Sequence, residues 1–223
     1  MERYQHCLDG YNYAVDILSK KIPACKYVVL ACQRFMDDLE RDDIVLDHVA
    51  AENFMNFFEE LKHVKGKQWI GKNIRLEPWQ KFEKLNIFGL KKYNKNKELV
   101  RKYKEVYIEV SRKNGKSIMA TGIALYMLAE DGEAGSEVYC GATTEEQASF
   151  VWEPAKAMLT SDPELREYLD LEVHAKSIFR VSDNSKFTRI IGDPGDGGSP
   201  HCGIVDEYHE HKNDNLYKTL QTG

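Results

Sequence analysis

An α/β fold, with a mostly parallel sheet flanked by helices and an N-terminal helical segment, is what this 223-residue sequence predicts. Three observations carry the prediction. The first sixty residues repeat apolar side chains at helical spacing only, whereas from about residue 105 onward short alternating runs exchange with helical ones. One of those helical runs, SIMATGIALYMLAE, is apolar nearly all round, as a helix buried against a sheet is. The last alternating run, CGIVDE, delivers two acids to the end of an apolar strand, where open α/β sheets bind their ligands.

The helical segment is clearest after Pro23, where Cys25, Val28, Cys32, Phe35, Met36 and Leu39 fall on one stripe. Pro23 itself suits a first-turn position. Val49, Phe54, Phe57, Phe58 and Leu61 continue the helical style, and then LKHVKGKQWIGKN turns basic and glycine-containing, as a connection does. A soft boundary falls at residues 62–72, giving a helical segment over 1–70 and an α/β domain over 71–223. Trp79 and Gln80 after Pro78 open a helix, and KKYNKNKELVRKYK reads as a solvated hairpin. EVYIEV alternates Val106, Ile108 and Val110 with Tyr107 and Glu109, the pattern of a strand, and runs straight into SRKNGKS. After the buried helix, EVYCGAT is a second strand. Thr143 or Thr144, with Glu146 or Gln147 three residues on, makes a capping box for the next helix, which Pro154 is expected to kink or divide. SIFRVS and SKFTRIIGD are short strands, and the glycine-rich stretch 193–199 is a tight turn before CGIVDE.

Composition excludes several classes of function. No apolar run approaches the ~18 residues a membrane helix needs, and the first thirty residues carry charges throughout, so neither a span nor a secretory leader is expected. Five scattered cysteines without a CxxC pair argue against a disulfide framework or a zinc knuckle and fit a reducing compartment. A net charge of -5 argues against binding nucleic acid by bulk charge. The distribution is uneven, however: fourteen Lys or Arg against three acids over 61–104, and nine acids against one Arg over 36–60.

The chemistry concentrates in two places. A strand, then SRKNGKS, then a helix is the context in which a phosphate-binding loop makes physical sense, because backbone N–H groups and a helix N-terminus together face phosphate oxygens. Ser111, Arg112, Lys113, Asn114 and Gly115 would form the cradle, with Gly115 allowing close backbone approach. Lys116 would reach the terminal phosphates and Ser117 would place its hydroxyl on Mg2+. Val110 stands where the first glycine of GxxxxGK[ST] belongs, so the loop is read together with what lies ninety residues downstream. There Asp206 would hold the Mg2+ and Glu207 would polarise the water that attacks the γ-phosphate of ATP. The plainer alternative is a buried strand ending in a solvated acidic turn. His209 and His211 flank Glu210, but ligands two apart with no second pair argue against zinc.

Three segments together, LEPWQKFEKLNIFG at 76–89, SRKNGKS and GGSPHCGIVDEYHEH, make the sequence similar to the large terminase subunits of tailed bacteriophages, the ATP-driven DNA-packaging motors. The resemblance implies a P-loop NTPase fold of the RecA/ASCE-like type. It implies that Gln80 reads adenine and that Arg112 acts as an arginine finger in cis, with Lys116, Ser117, Asp206 and Glu207 in the roles given above. It further implies double-stranded DNA held by its backbone, a terminase small subunit and a portal protein as partners, a homo-oligomeric ring, and the cytoplasm of a bacterial host. A coupling motif and an RNase H-like nuclease domain are expected beyond residue 223, so nuclease activity is not expected of these residues. Two alternatives remain open: a DExH-type helicase-like ATPase, suggested by the DEYH string, and a fragment that binds nucleotide without turning it over.

Overall fold

The computed structural model describes residues 4–191 and 198–222. Most of the turn expected at 193–199 lies outside the described residues. The chain forms two compact units, the first made of Met1–Glu60 and Asn73–Glu109, the second of Leu61–Lys72 and Val110–Gly223. Residues 73–109 therefore pack with the N-terminal helices, and 61–72 with the α/β part.

The first unit holds α1 (Gln5–Leu18), α2 (Lys26–Leu39), β1 (Ile44–Leu46), α3 (His48–Glu60), and α4 (Pro78–Lys84), which runs on into a π-helical turn, Leu85–Gly89. Cys32 and Phe35 of the expected α2 stripe are buried, as are Phe54 and Phe58 of α3. The helix starts at Lys26 with Cys25 as its N-cap, so Pro23 precedes it instead of opening its first turn. The expected hairpin forms as β2 (Leu90–Tyr93) and β3 (Leu99–Arg101), paired antiparallel. It is joined by β1, an unexpected third strand in a stretch read as helical throughout, because three residues are too few to show a period.

Of the charged residues buried in this unit, Asp38 and Lys84 show how the charge is met. Asp38, on the inner face of α2, is 3% exposed, is ion-paired with Lys102 and accepts from the Tyr103 hydroxyl at 3.3 Å. Lys84 is fully buried with its ammonium 3.1 Å from Glu83 Oε2, and burial pushes its pKa down.

The second unit is built on a five-stranded sheet in the order β5-β6-β7-β4-β8. In chain order its elements are α5 (Lys116–Ala129), β4 (Glu137–Ala142), α6 (Glu145–Ser161), α7 (Pro163–Tyr168), β5 (Leu171–Val173), β6 (Ser177–Arg180), β7 (Lys186–Ile191), β8 (Pro200–Val205) and α8 (Asn215–Thr222). The core of the sheet is parallel, β7 and β8 both running alongside β4, while β5 and β6 extend it antiparallel, so the sheet as a whole is mixed. Cys140 faces α6, where its thiol meets the Ala148 carbonyl. Gly141, one residue on and therefore on the other face, leaves room for Leu216 of α8. The sheet is thus covered on both sides.

Two expectations in this region do not hold. Residues 105–110 form no strand. They span the passage from the first unit to the second, and Val106 and Tyr107 are 48% and 76% exposed. Alternation marks a segment able to bury one face, but a strand also needs a neighbour to complete its ladder. Nor does Pro154 divide its helix: α6 is continuous from Glu145 to Ser161. Val151, Trp152, Ala155, Met158 and Leu159 are all buried around Pro154, and that packing outweighs the one lost backbone hydrogen bond.

Gly10 shows how closely the helices of the first unit approach. A Cβ built there would lie 2.9 Å from the Lys81 carbonyl carbon and 2.9 Å from the Phe82 nitrogen, both backbone atoms that cannot swing aside. Glycine-to-alanine in a helix interior ordinarily stabilises by roughly 1 kcal/mol. Here Gly10→Ala is expected to destabilise, by about 1–3 kcal/mol, because α1 and α4 must separate. Chemical denaturation of the two proteins checks the sign.

Candidate functional site

The site forms where the start of α5 meets the end of β8. Gly115, the N-cap of α5, is left-handed at φ 76, and Lys113 is left-handed too at φ 72. Positive φ at alternate positions curls the loop into the kind of turn whose N–H groups make an anion-binding concavity. Asn114 braces it from within, its Nδ2 donating to the Ser111 carbonyl at 3.0 Å and to Ser111 Oγ at 2.7 Å. Arg112 is exposed on the same loop. Ser117 sits in the first turn of α5, where its carbonyl accepts from Thr121 Oγ1 at 2.8 Å.

Lys116 closes the site. Its ammonium donates to Glu207 Oε1 and lies 3.4 Å from Asp206 Oδ1. The parallel pairing of β4 and β8, with Gly141 opposite Val205, carries the two acids to the carboxyl end of the sheet core. Asp206 is 6% exposed. Its Oδ1 accepts from the Glu207 N–H at 3.0 Å, whereas Oδ2 is buried with no hydrogen-bond partner among the described residues. Glu207 adopts the left-handed conformation, φ 47 and ψ 47, a strained backbone for a residue with a Cβ.

Charge explains the titration. The hydrogen bond from Lys116 holds the Glu207 carboxyl below the usual range against the opposing effect of burial, with help from the charges of Lys116, His209 and Arg112. Partial burial works to lower the Lys116 pKa, but the hydrogen bond to Glu207 and the charges of both acids outweigh it and leave the lysine raised.

The turn after Glu207, a 3-10 turn at Tyr208–Glu210, is tied to the neighbouring strand and helix. Thr143 Oγ1 donates to Gln147 Oε1, and Gln147 Nε2 donates to Glu210 Oε2. Thr144 is the N-cap of α6, accepting from the Gln147 N–H at 3.2 Å. The Gln147–Glu210 link had no sequence signal, since its partners lie 63 residues apart. Glu207, His209 and Glu210 bring ligand-type atoms within 4.8 Å of one another, with His209 and Glu210 exposed. His209 Nδ1 is 3.4 Å from Glu207 Oε2.

Of the residues singled out in the sequence, Ser111 to Ser117, Asp206 and Glu207 belong to this one unit. Gln80 belongs to the first unit, where its Oε1 accepts from the Glu77 N–H at 2.9 Å as half of a capping box on α4. For a magnesium nucleotide the donor set fits: an orphaned buried carboxylate oxygen on Asp206, the hydroxyl of Ser117 at a helix start, a curled loop and a lysine.

Residues 78–223 match the family described as "Terminase large subunit, ATPase domain". Among curated relatives, "Protein YmfN" of Escherichia coli (strain K12) is 51% identical over 47 residues, 21% of this chain and 10% of that protein. The "Terminase, large subunit" of Enterobacteria phage HK97 is 26% identical over 159 residues, 70% of this chain and 30% of that protein. The crystal structure of the HK97 bacteriophage large terminase has the same fold, with a TM-score of 0.62 and 23% identity over 77% of this chain and 34% of that one. The chain thus spans about a third or less of the length of the proteins it matches. No helix among the described residues is long and apolar enough to cross a membrane.

The ion pair predicts a stability window. Glu207, depressed in the folded protein, contributes stability that is present above the ordinary carboxylate range and lost as pH falls through its lowered folded value. Lys116, raised, contributes stability that is complete below its ordinary value and lost as pH rises through its folded one. Thermal unfolding against pH is expected to fall at both ends, and Lys116→Met is expected to flatten the alkaline limb and shrink the acidic one.

Proposed function

Because the chain belongs to the terminase large-subunit ATPase-domain family, we propose that it hydrolyses ATP with Mg2+ at the Lys116–Asp206–Glu207 site and that this hydrolysis drives viral DNA into a procapsid. The observation that supports the site most directly is the placement of Lys116 against both acids, which joins a phosphate-loop lysine to a strand-end acid pair. In this reading the N–H groups of Lys113 to Ser117 and the start of α5 receive the phosphates. Lys116 leaves the acids for the β- and γ-phosphate oxygens. Asp206 and Ser117 hold the Mg2+, which neutralises charge on the phosphates when bound. Glu207, freed from Lys116, orients the attacking water and accepts its proton. Arg112, already close enough for its charge to act on Glu207, turns toward the equatorial oxygens of the γ-phosphoryl group. Gln80 recognises the adenine. In the full assembly the partners are double-stranded DNA gripped by its backbone, the small subunit and the portal, with copies of the chain in a ring in the bacterial cytoplasm.

Lys116→Ala is expected to abolish ATP binding, and Glu207→Gln to keep it while hydrolysis falls by at least about a hundredfold. Calorimetry with single-turnover hydrolysis reads both. Unchanged nucleotide affinity in Lys116→Ala would remove the assignment.

Arg112→Ala is expected to lower basal turnover by a factor on the order of 10³ with little change in affinity, and Arg112→Lys nearly as much because lysine lacks the planar fork. An Arg112→Ala protein turning over at the wild-type rate would show that any finger comes from another chain.

A further inference from the structure

The segment Leu61–Lys72 belongs to the second unit, and the proposed ATPase chemistry makes no use of it. It contains four lysines, one histidine and no acid. Its backbone is closed on itself: the His63 N–H donates to the Lys72 carbonyl at 2.9 Å, Gly71 N–H to the His63 carbonyl at 2.8 Å, and Ile70 N–H to the Gly66 carbonyl at 2.9 Å. A loop this well bonded would be expected to turn its large apolar groups inward. It does the opposite, leaving Trp69 52% and Ile70 61% exposed.

The side chains around the indole are arranged for an anionic, ring-bearing ligand. Lys72 Nζ stands 5.8 Å from the Trp69 ring centroid and the His63 ring 5.6 Å from it, so the indole is held in position while much of it stays open. Lys65 and Lys67 are exposed and have no ion-pair partner among the described residues, whereas Lys62 is held by Asp162 at 2.6 Å. Beside the loop lies a half-open recess of about 190 Å³, walled by Val64, Ile70 and Ala157 with His63 and Ser161 at its polar edge. It is smaller than the ~300 Å³ at which sites for whole small molecules ordinarily begin, and it suits one planar ring. Burial lowers the His63 pKa, favouring a neutral ring able to hydrogen-bond a base.

We propose that Leu61–Lys72 is a contact site for single-stranded DNA, with Lys65 and Lys67 on successive phosphates and Trp69 stacked on an unpaired base. Lysines alone would serve for duplex backbone. The exposed indole and the ring-sized recess are what an unpaired base adds, because every base offers a π face and stacking needs no particular sequence. This goes beyond the duplex-packaging reading and does not depend on it.

The test is fluorescence anisotropy of the whole chain with labelled oligo-dT, a blunt duplex of equal length and poly-glutamate, without nucleotide, so that the result stands whether or not the phosphate loop hydrolyses ATP. Oligo-dT is expected to bind more tightly than the blunt duplex. Trp69→Ala should weaken oligo-dT binding about tenfold, with Trp69→Phe retaining most of it. Lys65→Glu with Lys67→Glu should weaken it further and reduce the slope of log K against log salt by roughly 1 to 1.5. All three positions are exposed, and circular dichroism of each variant is the check that it folds. The proposal is overturned if oligo-dT does not bind, if the blunt duplex binds as tightly with no loss in Trp69→Ala, or if poly-glutamate shows the same Trp69 dependence, which would mark a site for an acidic protein.

Discussion

The Lys116 ammonium between Asp206 and Glu207 is the contact on which the second unit's architecture depends. Two carboxylates adjacent in sequence, one of them 6% exposed, would repel each other at the end of β8. A cation must stand between them, and it has to come from elsewhere in the chain. The pairing is possible only because β8 runs parallel to β4, and because α5 begins at Lys116 and not a turn later. Strand direction, helix start and charge balance are therefore one constraint.

Even so, the balance is incomplete. Lys116 engages Oδ1 of Asp206, and the buried Oδ2 is left without a partner, at a cost of about 1–3 kcal/mol or more for a charged group. Lys113 and Glu207, both in the left-handed region without being glycine, add backbone strain on either side of the same lysine. The unpaired oxygen and both strained backbones sit within this one site. That is where a fold leaves free energy for a ligand to recover, and it is consistent with a site organised around something the protein alone does not supply.

How far the sequence could be read follows from range. Thr144 capping α6 is a three-residue relation, and the all-round apolar α5 needs only its own composition; both were legible. The acids ending CGIVDE were legible because an apolar run turning abruptly charged is a local event. What escaped reading depends on partners distant in sequence. The alternation of residues 105–110 is real, but whether a ladder forms is decided by another strand. Pro154 is tolerated because its helix packs against α5, β4 and β7, and Asp38 is buried because Lys102 reaches it. Gln80 is double-valued: its capping-box bond to Glu77 explains its burial without any ligand, and the adenine role rests on resemblance.

The arrangement also bears on how nucleotide and metal would bind in the proposed reaction. Lys116 serves both acids as their common counter-charge. A phosphate that draws Lys116 away strips Asp206 and Glu207 of their common counter-charge, so an anion binding alone would leave a buried carboxylate exposed to its neighbour's repulsion. A divalent cation binding alone meets the opposite obstacle, since the lysine already stands against the oxygens it would use. In that reading each ligand would remove the obstacle to the other: phosphate would withdraw the lysine, and the cation would replace the charge withdrawn. Their affinities must then be coupled by the same factor in both directions. In the proposed reaction the exchange would also release Glu207 from its hydrogen bond to Lys116, making the carboxylate available to water.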